Sequence, residues 1–402
     1  MQLKSCLLIT VIFSATIISS CNSGSGKVND PAASNKPNTD YKSAFVGQTR
    51  IKEVKTTTPY KVEKIGEKLG RPWAIIPLPD GRLLITEKSG FMAIYSSEGT
   101  LVKKITGFPL VNDKAQGGLL DVALDPAFAQ NKTIYWSFSE KQDSVNLTAV
   151  AKGQLSADDS IILNPVVIFR ATPGLNSDQH YGSRLVFDKD GYLFVTAGER
   201  SILEGRKQAQ WLNSGLGKIF KITRDGKAAP GNPFLKQADA KPEIYSYGHR
   251  NPQGLDIDPA TGELWEVEFG PRGGDELNRI QPGKNYGWPV ITYGIEYDGR
   301  KIGDSIQQKD GMEQPVYYWD PVASPSGIVF YNSDSIPEWK NNLFIACLSS
   351  MHIARLVIEN NKVVGEESLL LDKKERFRDV AQMGGKLYAV TDAGNLYRIS
   401  KN

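Results

Sequence analysis

Histidine and cysteine are the scarcest chemistry-bearing residues in this 402-residue chain, with three of each. The histidines are His180, His249 and His352. Two of the cysteines, Cys6 and Cys21, lie near the N-terminus, so Cys347 stands alone in the remainder. A single thiol excludes an internal disulfide or a cysteine-based metal site in the folded part and reads as a buried structural residue. Charge of one sign is also lacking. The 48 basic and 45 acidic residues leave a formal charge of +3 and are interspersed, so no nucleic-acid footprint appears. Long apolar runs are absent after the first twenty residues, and long segments of helical periodicity are few.

The first twenty residues carry one early cation, Lys4, then an apolar run from Leu7 to Ile18, the layout of a secretory signal and short for a membrane span. The run ends Ile18-Ser19-Ser20-Cys21, which resembles the bacterial lipobox. The expectation is an exported lipoprotein of the cell envelope, with residues 1–20 as signal peptide and the membrane reached only through a lipid on Cys21. Residues 21–56 are expected to be the lipidated cysteine and a flexible tether, because Ser, Gly, Asn, Pro and Lys predominate after it. Residues 57–402 form the globular part.

What fills that part is Gly 38, Pro 22, Tyr 16 and Trp 7, a composition of short strands and turns. A unit of apolar strand, Asp/Gly/Asn-rich turn and second apolar strand recurs from Ala74, Asp121, Arg184, Gly254, Gly327 and Asp379. The spacing accommodates four short strands per unit. The fold class is therefore all-β, a six-bladed β-propeller with four-stranded antiparallel blades. A strand near Tyr60 to Glu67 should close the ring by joining the last blade.

If each unit begins with its innermost strand, the loops just ahead of these strands gather at one mouth of the channel. Gln116, His180, Arg250, Ser324 and Arg376 lie there. The turns after each second strand return to the same end, with Glu199-Arg200, Gly270-Pro271 and Ser349-Ser350. The densest polar stretch, Tyr247 to Asp256 followed by Gly270 to Glu276, belongs to the fourth unit. Arginines at such a mouth suit a ligand with several carboxylates or phosphates. The Gly270 and Pro271 carbonyls and the Asp275-Glu276 carboxylates are donors for a hard cation such as calcium. His180, within Gln179-His180-Tyr181-Gly182-Ser183-Arg184, is placed to act as a general base; His249 reads as structural support and His352 as packing or surface.

Gln116-Gly117-Gly118-Leu119-Leu120, His180 to Leu185, Gly248 to Gly254, Gly270-Pro271 with Asp275-Glu276, Asn285-Tyr286-Gly287-Trp288-Pro289 and Arg376-Phe377-Arg378-Asp379 together resemble the soluble glucose/sorbosone dehydrogenases. The likeness extends from about Leu69 to Ile399, with its motifs in family order, and favours the aldose sugar dehydrogenase branch. The resemblance implies a six-bladed propeller that uses pyrroloquinoline quinone (PQQ) and Ca2+ to oxidise the C1 hydroxyl of aldoses to lactones, passing electrons to an external acceptor. It implies His180 as the base and Arg250 beside the quinone oxygens. Gln116, Asn251, Gln253, Tyr297, Trp319, Arg376 and Arg378 match cofactor contacts. The carbonyls of Gly270 and Pro271 match the ligands of a catalytic calcium, and Glu276 with the Tyr286 carbonyl those of a structural one.

Ser349 departs from the pattern, standing where many members carry a cofactor-binding lysine. The units are not separated by long insertions, so a specialised lid or an extensive dimer interface has little sequence to come from, and a monomer or weak dimer is expected. Two other functions remain open on the residues alone. A calcium-dependent lactonase fits the carboxylates but poorly fits the arginines. A non-catalytic sugar-binding propeller is the reading that the absent lysine favours.

Overall fold

Short runs of alternating or continuous apolar residues pair mostly with their sequence neighbours, several through tight Gly-, Asp- or Asn-containing turns that leave no other partner within reach and others across longer loops. The computed structural model, which describes residues 36–402, carries this through to six four-stranded antiparallel sheets. Blade 1 contains β2 (Pro72–Pro77), β3 (Leu83–Glu87), β4 (Phe91–Tyr95) and β5 (Leu101–Ile105). Blade 2 contains β6 (Leu119–Leu124), β7 (Thr133–Gln142), β8 (Val145–Leu155) and β9 (Ile162–Arg170), and blade 3 β10 (Leu185–Phe187), β11 (Leu193–Ala197), β12 (Lys218–Ile222) and β13 (Ile244–Tyr247). Blade 4 is β14 (Pro252–Ile257), β15 (Leu264–Glu268), β16 (Asp275–Ile280) and β17 (Tyr317–Trp319). Blade 5 is β18 (Pro325–Phe330), β19 (Leu343–Cys347), β20 (His352–Glu359) and β21 (Lys362–Leu369).

Blade 6 is composite. Its strands β22 (Phe377–Met383), β23 (Lys386–Thr391) and β24 (Leu396–Lys401) are completed by β1 (Tyr60–Ile65), which pairs with β24 from Tyr60↔Lys401 to Ile65↔Leu396. This pairing of the first strand with the last closes the ring and covers the edge that β24 would otherwise present. The core lies between blades, where large side chains such as Trp136, Trp265 and Trp339 are wholly buried, and the Cys347 thiol is buried with them.

The inner strands are tied together by carboxylates in alternate blades. Asp121 of β6 accepts the Leu185 N–H of β10 at 2.7 Å, Asp256 of β14 accepts that of Phe330 in β18 at 2.9 Å, and Asp379 of β22 accepts that of Ile75 in β2 at 2.8 Å. Arg184 crosses the channel between them, its Nη1 lying 3.2 Å from both Asp121 and Asp379. Its Nε donates to the Gln253 carbonyl at 2.6 Å. These pairs separate the channel's two ends and leave the polar mouth loops on one of them.

Part of the segment expected as tether is laid on the propeller. Asn38 and Thr39 cap the Asp320 carboxylate through backbone and side-chain donors, and Gln48 is fully buried, donating to the Pro315 carbonyl at 2.9 Å. Composition argued against a core of its own here, and its described residues lean on the propeller, with Ile51 packed against the blade 4–5 core. Short polar side chains instead satisfy buried acceptors of blade 4 and its return loop. Residues 1–35, with the signal and lipidation expectations, lie outside the described residues. The longest excursion, 281–316, lies inside blade 4 rather than between units and returns to the mouth through an Arg272↔Ile295 bridge. Among the described residues no helix is long and apolar enough to cross a membrane.

Candidate active site

The loops ahead of β2, β6, β10, β14 and β22, with the turns after the second strands, enclose a cavity of about 300 Å³ at one channel mouth. Gln116, Gln253, Arg376 and Arg378 line it, with Tyr181, Gly182, Phe269, Leu348 and two further cations, Arg71 and Lys88.

His180 sits on the loop between β9 and β10 with φ of +50°, in the left-handed region. Its backbone N–H donates to Gln116 Oε1 at 2.8 Å, which joins it to the cavity wall. The approach of the next turn is so close that a Cβ on Gly198 would lie 2.3 Å from the His180 carbonyl, which explains a glycine there. The ring is 4% exposed, and its Nδ1 is 2.8 Å from Glu199 Oε1. Burial, reinforced by the Arg250 guanidinium and opposed by Glu199, pushes its pKa down to about 4. The imidazole is thus neutral near pH 7 despite its acidic neighbour. A carboxylate can only accept, so the ring proton resides on Nδ1, and Nε2 keeps its lone pair.

Arg250 follows β13 and is held by the turn after β15. Its Nη1 donates to the carbonyls of Phe269 at 3.0 Å and Gly270 at 2.6 Å, and its guanidinium lies 5.1 Å from the Trp288 ring centre. Asn251 Oδ1 accepts from Gly182 N at 3.0 Å and from Gln253 Nε2 at 3.4 Å. Arg250 Nε, Asn251 Nδ2 and Glu199 Oε2 are buried with no hydrogen-bond partner. Two orphaned donors beside a cavity lined by cations call for an acceptor-rich anionic ligand. The Gly270 carbonyl is engaged by Arg250 Nη1, and Asp275 is committed to the chain itself. It accepts Gly270 N at 2.7 Å and Ser324 N at 2.6 Å, and burial raises its pKa to about 7.

Glu276 does not stand alone. Pairing of β15 with β16 sets Glu266 opposite Asn278 and Glu268 opposite Glu276, so three carboxylates share one face. Asn278 Nδ2 reaches all three, at 3.2 Å from Glu266, 3.5 Å from Glu268 and 3.2 Å from Glu276. His249 closes the group, with Nδ1 3.1 Å from Glu268 and its ring stacked on Tyr286 at 4.8 Å. Burial and mutual repulsion hold Glu266 and Glu276 well above the usual carboxylate range. Glu266 Oε1 and Asn278 Oδ1 remain without partners. Ligand atoms of His249, Glu266 and Glu268 lie within 4.8 Å of one another, an oxygen-rich arrangement suited to a hard cation.

Two residues matched to cofactor contacts fall elsewhere. Trp319 is buried in β17, the outermost strand of blade 4, where its indole N–H donates to Glu366 at 2.9 Å. Tyr297 is 70% exposed on the turn between Glu296 and Arg300. Neither lines the cavity. Ser349 turns away as well, its Oγ 2.7 Å from Ser324 Oγ and 3.3 Å from the Val322 carbonyl. The sequence reading passed over Lys88, Asp392 and the orienting role of Glu199. All three occupy the turn after a second strand, the position already singled out for Gly270 and Ser349. Asp392 binds both cavity arginines, with Arg376 Nε and Arg378 Nε each at 2.9 Å.

A family model described as glucose/sorbosone dehydrogenase matches residues 69–398. Aldose sugar dehydrogenase YliI of Escherichia coli (strain K12) is 42% identical over 345 residues, covering 84% of this chain and 92% of the relative. The crystal structure of the soluble E. coli aldose sugar dehydrogenase in its apo-form superposes with a TM-score of 0.81 at 41% identity, covering 86% of this chain and all of that one. The PQQ-bound aldose sugar dehydrogenase of Streptomyces coelicolor gives 0.69 at 28% identity, covering 86% of this chain and 99% of the other. With the six-bladed fold and mouth motifs in the same chain, these matches establish that the protein belongs to the glucose/sorbosone dehydrogenase family.

Proposed function

We propose that this protein is a quinoprotein aldose dehydrogenase that oxidises the C1 hydroxyl of aldose sugars to lactones with PQQ and calcium. The observation that carries the reading is the buried, neutral His180, whose Nδ1–H is taken by Glu199 and whose Nε2 has no partner among the described residues, beside a cation-lined cavity.

The residues present fit the two groups. Unpartnered donors on Arg250 and Asn251, with Gln116, Gln253, Arg376 and Arg378, would hold the quinone's oxygens and carboxylates. The carbonyls of Gly270 and Pro271 would hold the catalytic calcium. Glu276, the Tyr286 carbonyl and the adjoining Glu266–Glu268 pair suit a structural one. When bound, quinone and calcium together supply an electrophile able to accept a hydride.

The chain's own part is proton handling and charge placement. His180 Nε2 takes the proton of the C1 hydroxyl, which lets the C1–H electron pair leave as hydride while a C=O bond forms. Glu199 stabilises the resulting imidazolium through the Nδ1–H bond and keeps the ring oriented. Arg250 places a fixed positive charge where negative charge develops. An exported lipoprotein anchored through Cys21 would perform this outside the cytoplasm, handing electrons to an external acceptor.

Reconstitution of the purified protein with PQQ and calcium, followed by dye reduction with a panel of aldoses, tests the reading. Turnover with at least one aldose is expected, and His180→Ala should retain the quinone while losing about two to four orders of magnitude in rate. Quinone binding without turnover on any aldose would refute the substrate class. Lactone hydrolysis without quinone would move the protein to the lactonase class.

A further inference from the structure

Four cations line the mouth cavity, and three already have carboxylates. Arg71 is paired with Asp113, and Arg376 and Arg378 share Asp392. The fourth, Lys88, is half-buried on the turn after β3 and has no carboxylate within ion-pair distance among the described residues. Its Nζ donates to the Ala115 carbonyl at 2.5 Å, which uses one of three N–H donors. The backbone beneath it is fixed. Lys88 N donates to the Arg71 carbonyl at 3.0 Å, Leu119 N donates to the Lys88 carbonyl at 3.1 Å, and a Cβ on Gly118 would come within 2.5 Å of that same oxygen. The ammonium is therefore held beside Ala115 and Gln116, on the wall that contacts the His180 backbone.

We infer that Lys88 is the anion-binding cation that completes this cavity, pairing with a carboxylate of the bound quinone and supplying the charge that Ser349 does not. The inference rests on the quinone reading above. Ser349 carries no charge and is turned toward Ser324 and the Val322 carbonyl. An ammonium with two unspent N–H donors in a partly desolvated cavity is costly without an anion.

The electrostatics agree with this geometry. Burial, then repulsion from Arg378 and Arg71, lowers the Lys88 pKa to about 8, against the smaller opposing influence of Asp392 and Asp113. An anion at Nζ favours the protonated form. Quinone affinity should therefore be full below pH 8 and decline as pH rises past it.

The test is titration of the apo-protein with PQQ at constant calcium, followed by tryptophan fluorescence between pH 6.5 and 9.5, with wild type, Lys88→Met and Lys88→Arg. Loss of a hydrogen-bonded charge predicts a Kd for K88M raised about 10- to 100-fold at pH 7. K88R should bind within a few-fold of wild type, with an affinity that no longer declines above pH 8, and it serves as the folding control. Acylation of Lys88 by an amine reagent, mapped by mass spectrometry, should be blocked by PQQ in the wild type. If wild type binds PQQ while K88M matches its affinity and pH profile, or if PQQ leaves Lys88 acylation unchanged, Lys88 is no ligand and the quinone reading survives. If wild type does not bind PQQ, the quinone reading falls and this assignment with it.

Discussion

Lowering the pH is the most direct probe of His180, because burial lowers a pKa on which both catalysis and stability depend. An exposed imidazole loses its lone pair around pH 6.5, whereas His180, at 4% exposure and facing Arg250, does so at about 4. At pH 5 about nine-tenths of a base with the lowered value is free, against roughly 3% of an unshifted one, a ~30-fold difference in active enzyme. The assay is kcat/KM of the quinone- and calcium-loaded protein with a dye acceptor from pH 4 to 8. The acid limb should not set in until below pH 5. The same shift acts on folding. Between pH 6.5 and 4 the unfolded chain binds a proton that the folded His180 refuses, so stability falls as pH falls through this window, by up to about 3 kcal/mol. His180→Gln should remove that slope in apo-protein denaturation. An acid limb centred between pH 6 and 7, with H180Q leaving the low-pH stability curve unchanged, would refute a buried neutral base.

Glu199→Gln keeps an acceptor for Nδ1–H but removes the charge that stabilises the imidazolium, so kcat should fall about 10- to 100-fold with KM little altered; an unchanged kcat would make Glu199 mere packing. If the Glu266–Glu268–Glu276 group holds a cation, chelation should lower the melting temperature, by an amount equivalent to about 2.7 kcal/mol where free calcium stood at a hundred times its Kd. Glu276→Gln should blunt that response, and identical melting in calcium and chelator would dismiss the site. Gly327→Ala would set a Cβ 1.5 Å from Asp379 Oδ1, expelling the carboxylate from Ile75 N and Arg184. A loss of about 3 kcal/mol or more in denaturant unfolding is expected from breaking a buried pair, and a loss below about 1 kcal/mol would mean that Asp379 is not a needed latch.

The blades were legible because, β1 apart, each strand's partner is its sequence neighbour, and the mouth was legible because antiparallel order returns every second-strand turn to the end where the inner strand began. That rule led to Gln116 and Arg376, which line the cavity, and to His180, whose backbone is bonded to Gln116; applied evenly it would have found Lys88 and Asp392 too. It also warns against Trp319, since a residue on a fourth strand lies farthest from the channel. What the repeat could not reveal depends on contacts across it. Asp121, Asp256 and Asp379 recur in units two, four and six, while their N–H donors, Leu185, Phe330 and Ile75, lie in units three, five and one. A pattern counted as six equal units is thus three latched pairs in space, and its last latch joins residues 304 positions apart. The carboxylate of Asp379 and the bare Cα of Gly327 make sense only together: the first needs room beside the next inner strand, and the second provides it. A buried charge therefore becomes interpretable only once the neighbouring blade is known. For the same reason Glu276 read as an isolated ligand until strand register set Glu266 and Glu268 beside it.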